Sequence, residues 1–204
     1  MKLVMAGGGT GGHLFPALAL AEEFKSRDKD AQIVFMGGKG GIEEKIVPKY
    51  GYRLEVLSVE GIKRRSGLKR VKALGKAFKS TIKALMLLRA IKPDGVIGSG
   101  SYSSAPVVLA AKLLGIKTAI LEQNALPGLT NKVLGKMVDR IYISFDEARP
   151  FFPVSRTIFS GNPVRKDIIR ADTPRIEKNH KFSILVFGGS QGATAINTAF
   201  IDAT

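Results

Sequence analysis

The chain opens on a short apolar run, Leu3–Ala6, that ends in glycines, and similar runs recur along it. Continuous apolar runs of this length fit parallel strands buried on both faces better than half-exposed ones. Further strands are predicted at Gln32–Met36, Arg53–Ser58, Gly95–Ile97, Thr118–Leu121, Arg140–Ser144 and Thr157–Phe159. Between them apolar residues fall three and four apart, the spacing of one helix face. That predicts helices over Leu14–Phe24, Glu43–Lys49, Leu68–Ile91, Pro106–Leu114 and Thr130–Met137. Pro93 stops the long one, and Gly115 follows the fourth as a favourable C-terminal residue. Strand–helix alternation builds an α/β domain on a doubly wound, mostly parallel, Rossmann-like sheet.

The pattern changes near Asn162. Residues 162–181 are polar, carry Pro163 and Pro174, and read as an interdomain connection with one helical turn. Phe182–Phe187 is then apolar enough for another strand, followed by a second glycine loop and the start of a helix. The expected partition is therefore a domain over 1–161, a linker over 162–181, and the first strand and helix of a second α/β domain over 182–204.

Composition narrows the class. The 204 residues include no Cys, which excludes a disulfide scaffold and any thiolate metal site. No apolar run approaches the roughly 20 residues of a membrane span, and glycines interrupt the N-terminus where a signal peptide would need its apolar stretch. The net charge of +15 is concentrated: residues 61–92 hold eleven basic and no acidic side chains. Such a block points to a local anionic partner. Within it, Leu68, Val71, Leu74, Phe78, Ile82, Leu85 and Leu88 recur at helical spacing, with Lys69, Lys72, Lys76, Lys79 and Lys83 roughly opposite. Two readings of this basic amphipathic helix stand: an ordinary surface helix with its apolar face in the core, or an element facing an anionic membrane surface. Nucleic acid ranks behind both, because no nucleic-acid motif accompanies the lysines.

The chemistry concentrates in loops after predicted strands. The first runs from Gly7 to His13 and contains G-x-G-x-x-G at Gly7, Gly9 and Gly12. Glycines let backbone N–H groups approach a phosphate, and the following helix N-terminus adds positive potential. A P-loop would need Lys and Ser/Thr after the last glycine, where this chain has His13 and Leu14. A dinucleotide site would want an acid at the end of the second strand, where Gly37 stands. Residues 98–104 and Glu122-Gln123-Asn124 follow later strands, and in a doubly wound sheet all these loops emerge on the ligand-binding edge.

These motifs also carry a family resemblance. Gly8-Gly9-Thr10-Gly11-Gly12-His13-Leu14-Phe15-Pro16-Ala17, Glu122-Gln123-Asn124, Gly161-Asn162-Pro163-Val164-Arg165 and Gly188-Gly189-Ser190-Gln191-Gly192-Ala193 occur in the order and approximate spacing of the MurG family, glycosyltransferase family 28. The resemblance covers essentially the whole chain. It implies a GT-B enzyme of the bacterial cell wall, with two Rossmann-like domains across a cleft. The activity it implies is transfer of GlcNAc from UDP-GlcNAc to the muramyl C4 hydroxyl of lipid I, with inversion and without metal or cofactor. The implied location is the cytoplasmic face of the cell membrane, peripherally bound. By motif, Thr10, Gly11, Gly12, Asn124, Arg165 and Ser190 resemble donor-contacting positions, and His13, Tyr102 and Glu122 acceptor-side or catalytic ones. Leu121 stands where the family commonly has His, and Ser101 and Ala105 replace glycines usual around the tyrosine. The family's second domain also continues well past residue 204, so the chain is not expected to be active alone.

Inversion in one displacement needs a base for the C4 proton and stabilisation of the departing diphosphate. His13 and Glu122 are the rival bases; a helix N-terminus disfavours an imidazolium, which suits His13 to that task. Asn124 both donates and accepts, which suits sugar hydroxyls. Arg165 could neutralise phosphate or fix a hinge, and Ser190 could help bind the donor diphosphate. The alternative readings are an NAD(P)-dependent oxidoreductase of Rossmann type and a non-enzymatic module for anionic membranes.

Overall fold

A computed structural model describes residues 1–59, 67–169, 184–188 and 193–203, with 67–74 given by their helical backbone alone. The chain divides into two compact units, Met1–Lys166 and Asp167–Thr204.

The first unit is a seven-stranded sheet: β1 (Lys2–Ala6), β2 (Gln32–Gly38), β3 (Arg53–Leu57), β4 (Gly95–Gly98), β5 (Lys117–Glu122), β6 (Arg140–Ile143) and β7 (Thr157–Phe159). The order is β3-β2-β1-β4-β5-β6-β7 and every pairing is parallel. Helices α1 (Gly11–Arg27), α2 (Glu43–Ile46), α3 (Gly67–Ile91), α4 (Ser104–Leu113) and α5 (Leu129–Leu134) make the crossovers. Alternation along β1 and β2 feeds both faces of the sheet. Leu3, Met5, Ile33 and Phe35 pack with Leu14 and Leu18 of α1. Val4, Ala6, Val34 and Met36 join a larger core with Ala84 and Leu88 of α3 and Val107 and Ala111 of α4. The order in which strands are added reverses between β1 and β4, so the loops after these two parallel strands flank the topological switch point, where α/β sheets bind ligands.

The expected strands and long helices are all present in the first unit, with ends shifted by a few residues. Helix α1 begins three residues earlier than the apolar spacing suggests, because Gly11 and Gly12 already turn as helix after an extended Thr10. The expected helix over residues 43–49 ends in a 3-10 turn, Val47–Tyr50, closed by Gly51 in the left-handed region. The 3-10 turns at Asp146–Phe151 and Val154–Arg156 carry too little periodicity to be read in advance.

Helix α3 divides the apolar stripe between the two readings. Phe78 and Ile82 are exposed, at 67% and 41%, whereas Leu88 of the same stripe is buried. Ser80 and Ala84 share the core side with Leu88, and the Ser80 hydroxyl donates to the Ser58 carbonyl at 2.9 Å. Period alone could not separate two adjacent apolar strips on one helix. Among the described residues, no helix is long and apolar enough to cross a membrane.

The second unit contains α6 (Lys166–Ile169), the expected single turn, which begins on the last residue of the first unit, and α7 (Thr194–Ala203). The strand expected over Phe182–Phe187 does not form where described: residues 184–188 are in no sheet, with Leu185 83% exposed. A parallel strand exists only by pairing, and this segment is paired with none of the strands of the described sheet. Residues 182 and 183 lie outside the described set.

Candidate functional site

The loop after β1 holds its shape through one carboxylate. Glu43, the first residue of α2, is only 1% exposed. Its Oε2 accepts the Gly9 N–H at 2.7 Å and its Oε1 the Gly38 N–H at 2.9 Å. A Cβ at Gly8 would fall 2.3 Å from the Glu43 carboxyl carbon, and one at Gly37 2.5 Å from its Cγ. The glycines here thus make room for a buried side chain from elsewhere in the fold. Gly7 is tied to the neighbouring strand's loop, since a Cβ on it would meet the Ser99 hydroxyl. Both halves of a dinucleotide site are lost: the Gly9 N–H is spent on Glu43, and an acid at Gly37 would collide with it.

His13, in the first turn of α1, leans across the switch point. Its Nδ1 lies 3.0 Å from the Ser99 carbonyl and 3.2 Å from Gln123 Oε1. Gln123 Nε2 donates to the same Ser99 carbonyl at 3.0 Å, which orients the amide with its oxygen towards His13. Both Nδ1 neighbours are acceptors, so Nδ1 is the protonated nitrogen, and in a neutral ring the lone pair then falls on Nε2. Gly100, at φ +98°, permits this approach; a Cβ there would fall 2.7 Å from His13 Nδ1.

Glu122 ends β5, also 1% exposed. Oε1 accepts the backbone N–H and the side-chain amide of Asn124, both at 2.9 Å. Oε2 accepts Gly128 N–H at 3.2 Å and Asn131 Nδ2 at 3.0 Å. Four donors occupy its lone pairs, so the carboxylate braces the loop into α5 and has none spare for a substrate proton.

His13, Tyr102, Glu122 and Asn124 line one cleft of about 520 Å³, walled further by residues of α3, α4 and α5. Its volume suits a small-molecule site. The residues around Tyr102 carry strain: Ser101 adopts φ +65°, a region that favours glycine. Its hydroxyl lies 2.7 Å from that of Ser103, and its carbonyl accepts from Ser104 Oγ at 3.0 Å. The serine thus compensates for a conformation in which a glycine would be relaxed.

The remaining expected positions are not gathered into this lining. Thr10 precedes α1, with Gly11 buried and Gly12 exposed at its start. Arg165 donates to the Tyr50 hydroxyl at 3.0 Å and lies over the Phe15 ring at 4.7 Å. Next to it Lys166 pairs with Glu23 of α1 at 3.0 Å. Ser190 lies outside the described residues, as do the side chains of Lys69 and Lys72. Lys76 and Lys79 are exposed; Lys83 donates to the Val56 carbonyl on edge strand β3 at 2.8 Å. The sequence reading missed Glu43, whose role depends on the distant Gly8 and Gly9 as well as the nearby Gly37 and Gly38, and the apolar walls of the cleft.

The model of the glycosyltransferase family 28 N-terminal domain matches residues 3–143. The chain belongs to glycosyltransferase family 28. Curated relatives named UDP-N-acetylglucosamine–N-acetylmuramyl-(pentapeptide) pyrophosphoryl-undecaprenol N-acetylglucosamine transferase align over the whole chain. Those from Syntrophus aciditrophicus and Myxococcus xanthus are both 49% identical over 100% of this chain, covering 56% and 53% of their own lengths. The chain thus spans about half the length of the curated relatives it matches. The crystal structure of Acinetobacter baumannii MurG superimposes with a TM-score of 0.66 at 29% identity, over 85% of this chain and 47% of that one. A UDP-GlcNAc 2-epimerase from Neisseria meningitidis shares the fold, with a TM-score of 0.59 at 13% identity over 79% of this chain and 46% of its own. The family 28 fold accounts for the seven-stranded parallel sheet and for the loops gathered at its switch point.

Proposed function

We propose that residues 1–166 form the acceptor-binding half of an inverting GlcNAc transferase. In this reaction UDP-GlcNAc donates to the muramyl C4 hydroxyl of lipid I and gives lipid II. The residues from 182 onward would begin the UDP-sugar domain, where Ser190 would meet the donor. Support comes from relatives whose printed name describes that transfer. The observation that carries the mechanism is the pair of acceptors on His13 Nδ1, the Ser99 carbonyl and Gln123 Oε1, which makes Nε2 the basic atom of a neutral ring.

In the proposed step Nε2 takes the C4 hydroxyl proton as that oxygen bonds to the anomeric carbon of GlcNAc. The bond from that carbon to the diphosphate breaks on the opposite face, UDP departs with the electron pair, and configuration inverts. Glu122 acts by positioning, holding Asn124 and the start of α5. Tyr102 and the Asn124 side chain would contact the acceptor and the sugar. Thr10, Gly11 and Gly12 present the helix N-terminus to a diphosphate, and Arg165 would fix the joint to the second domain. The reaction so written calls on no metal or cofactor.

Helix α3 supports a membrane reading. Phe78, Ile82 and Met86 form an exposed apolar strip, with Lys76 and Lys79 beside it. The proposed location is the cytoplasmic membrane surface, bound peripherally through this strip and its lysines.

The test joins this chain to the C-terminal half of the Syntrophus aciditrophicus relative and measures GlcNAc transfer to a lipid I analogue. The expected result is a disaccharide product of inverted configuration. Absence of product from a folded fusion that binds UDP-GlcNAc overturns the proposal.

A further inference from the structure

The cleft has two kinds of wall. Its polar lining, His13, Ser101 and Asn124, comes from the first turn of α1 and from loops at the carboxyl edge of the sheet. Its apolar lining, Pro106, Leu109, Leu129, Val133 and Met137, comes from α4, α5 and the turn after α5. Leu129 and Val133 are 67% and 50% exposed although they wall a concave site. Among the described residues no Lys or Arg lines it, and the carboxylate among them, Glu122, is committed to four internal donors.

That lining discriminates among ligands. The apolar end, Pro106, Leu109, Leu129, Val133 and Met137, offers no strong side-chain hydrogen-bonding group to a sugar, a nucleotide or a peptide. A branched hydrocarbon needs only apolar surface, and gains affinity with each carbon removed from water.

Helix α3 gives the cleft a route outward. Ala77 and Thr81 line the cleft. At 3.6 residues per turn, the next strip round the helix is Phe78, Ile82 and Met86, all exposed. Lys79 and Lys76 come next, and are exposed too. The surface therefore runs from cleft to apolar strip to cations. A lysine flank matches an anionic leaflet, so the apolar end of the cleft is continuous with the face proposed to meet the membrane.

We propose that the apolar end of this cleft holds the first isoprene units of a polyprenyl diphosphate, withdrawn from the bilayer across the Phe78–Met86 strip. The inference rests on the acceptor-domain reading above and deepens it. The protein would then recognise the lipid itself, beyond the sugar and diphosphate it carries.

The test titrates the 204-residue chain with farnesyl diphosphate and, separately, with inorganic diphosphate, by calorimetry. Farnesyl diphosphate is expected to bind roughly tenfold tighter or better. The double variant Leu129→Gln, Val133→Gln changes exposed side chains and is expected to bring the two affinities together. A photoreactive farnesyl diphosphate should crosslink within residues 104–113 or 129–137. Equal affinity for the two ligands, an unaffected double variant, or crosslinks confined elsewhere would each overturn the proposal. The two readings fail separately. Transfer by the fusion without preference for farnesyl diphosphate sinks the isoprenoid pocket alone. Farnesyl preference without transfer supports the pocket and removes the transferase.

Discussion

Two regions meet at the switch point and treat their exposed groups in opposite ways. The loops after β1, β2 and β5 satisfy themselves: Glu43 and Glu122, each 1% exposed, absorb six hydrogen bonds from the surrounding backbone and amides. The walls beside them leave apolar side chains of α3, α4 and α5 in the open. Partnered polar groups hold geometry and are poorly suited to chemistry. Groups without an internal partner, such as His13 Nε2 and the side chain of Leu129, are where ligand contact is expected. By that criterion the buried acids Glu43 and Glu122 are braces, and the half-buried imidazole of His13 is the group proposed as the base.

The largest effect is expected where the braces are cut. Glu43→Ala and Glu122→Ala each strand several donors, and unsatisfied groups of this kind cost about 1–3 kcal/mol apiece. Each variant should lose roughly 3 kcal/mol or more in urea denaturation. A loss below about 1 kcal/mol for Glu43→Ala would show that water replaces the carboxylate, and the contrast between the regions would fail.

The open wall should behave in the reverse sense. Phe78→Ser and Ile82→Ser are expected to change stability by no more than about 0.5 kcal/mol, as exposed sites do. They should weaken binding to anionic vesicles at every salt concentration. Lys76→Gln and Lys79→Gln should each cost about 1 kcal/mol of vesicle binding at low salt and little at high salt. Vesicle binding indifferent to all four changes would remove α3 from the membrane account.

Smaller effects sharpen the picture. Ser101→Gly relieves left-handed strain but removes the hydroxyl contact to Ser103 and frees the unfolded chain. Its net effect on stability should stay within about 1 kcal/mol. Glu23 gives a pH signature. Hydrogen bonds from Arg27 and Lys166 hold its carboxyl down from 4.5 to about 2. The depressed value means that the contribution is present above pH 4.5 and is lost as pH falls through about 2. Glu23→Gln should flatten that part of the acid-denaturation profile and leave stability above pH 5 little changed, since the pair is exposed.

The sheet was legible because parallel strands buried on both faces read as unbroken apolar runs, as Leu3–Ala6 and Gln32–Met36 do. The switch-point site was legible in part, because the loops after β1, β4 and β5 carry glycine and polar residues wherever the fold places them. Glu43 was not legible: it stands in a short helix among other charges, and only the tertiary approach of Gly8 and Gly9 gives it a role. The split face of α3 was hidden for another reason. Phe78 and Leu88 share a helical period, and only the neighbouring α4 decides which of them is covered. Residues 184–188 show the limit of apolar runs, since pairing needs a neighbour that the run itself cannot supply.

The central claim is that His13 is the base of an acceptor domain whose carboxylates serve as supports. Single-turnover GlcNAc transfer by the fusion, with His13 intact and as His13→Ala, tests it most directly. The account predicts a fall in the chemical step of roughly 100-fold or more, with UDP-GlcNAc affinity unchanged. An unchanged single-turnover rate in the folded variant would contradict it.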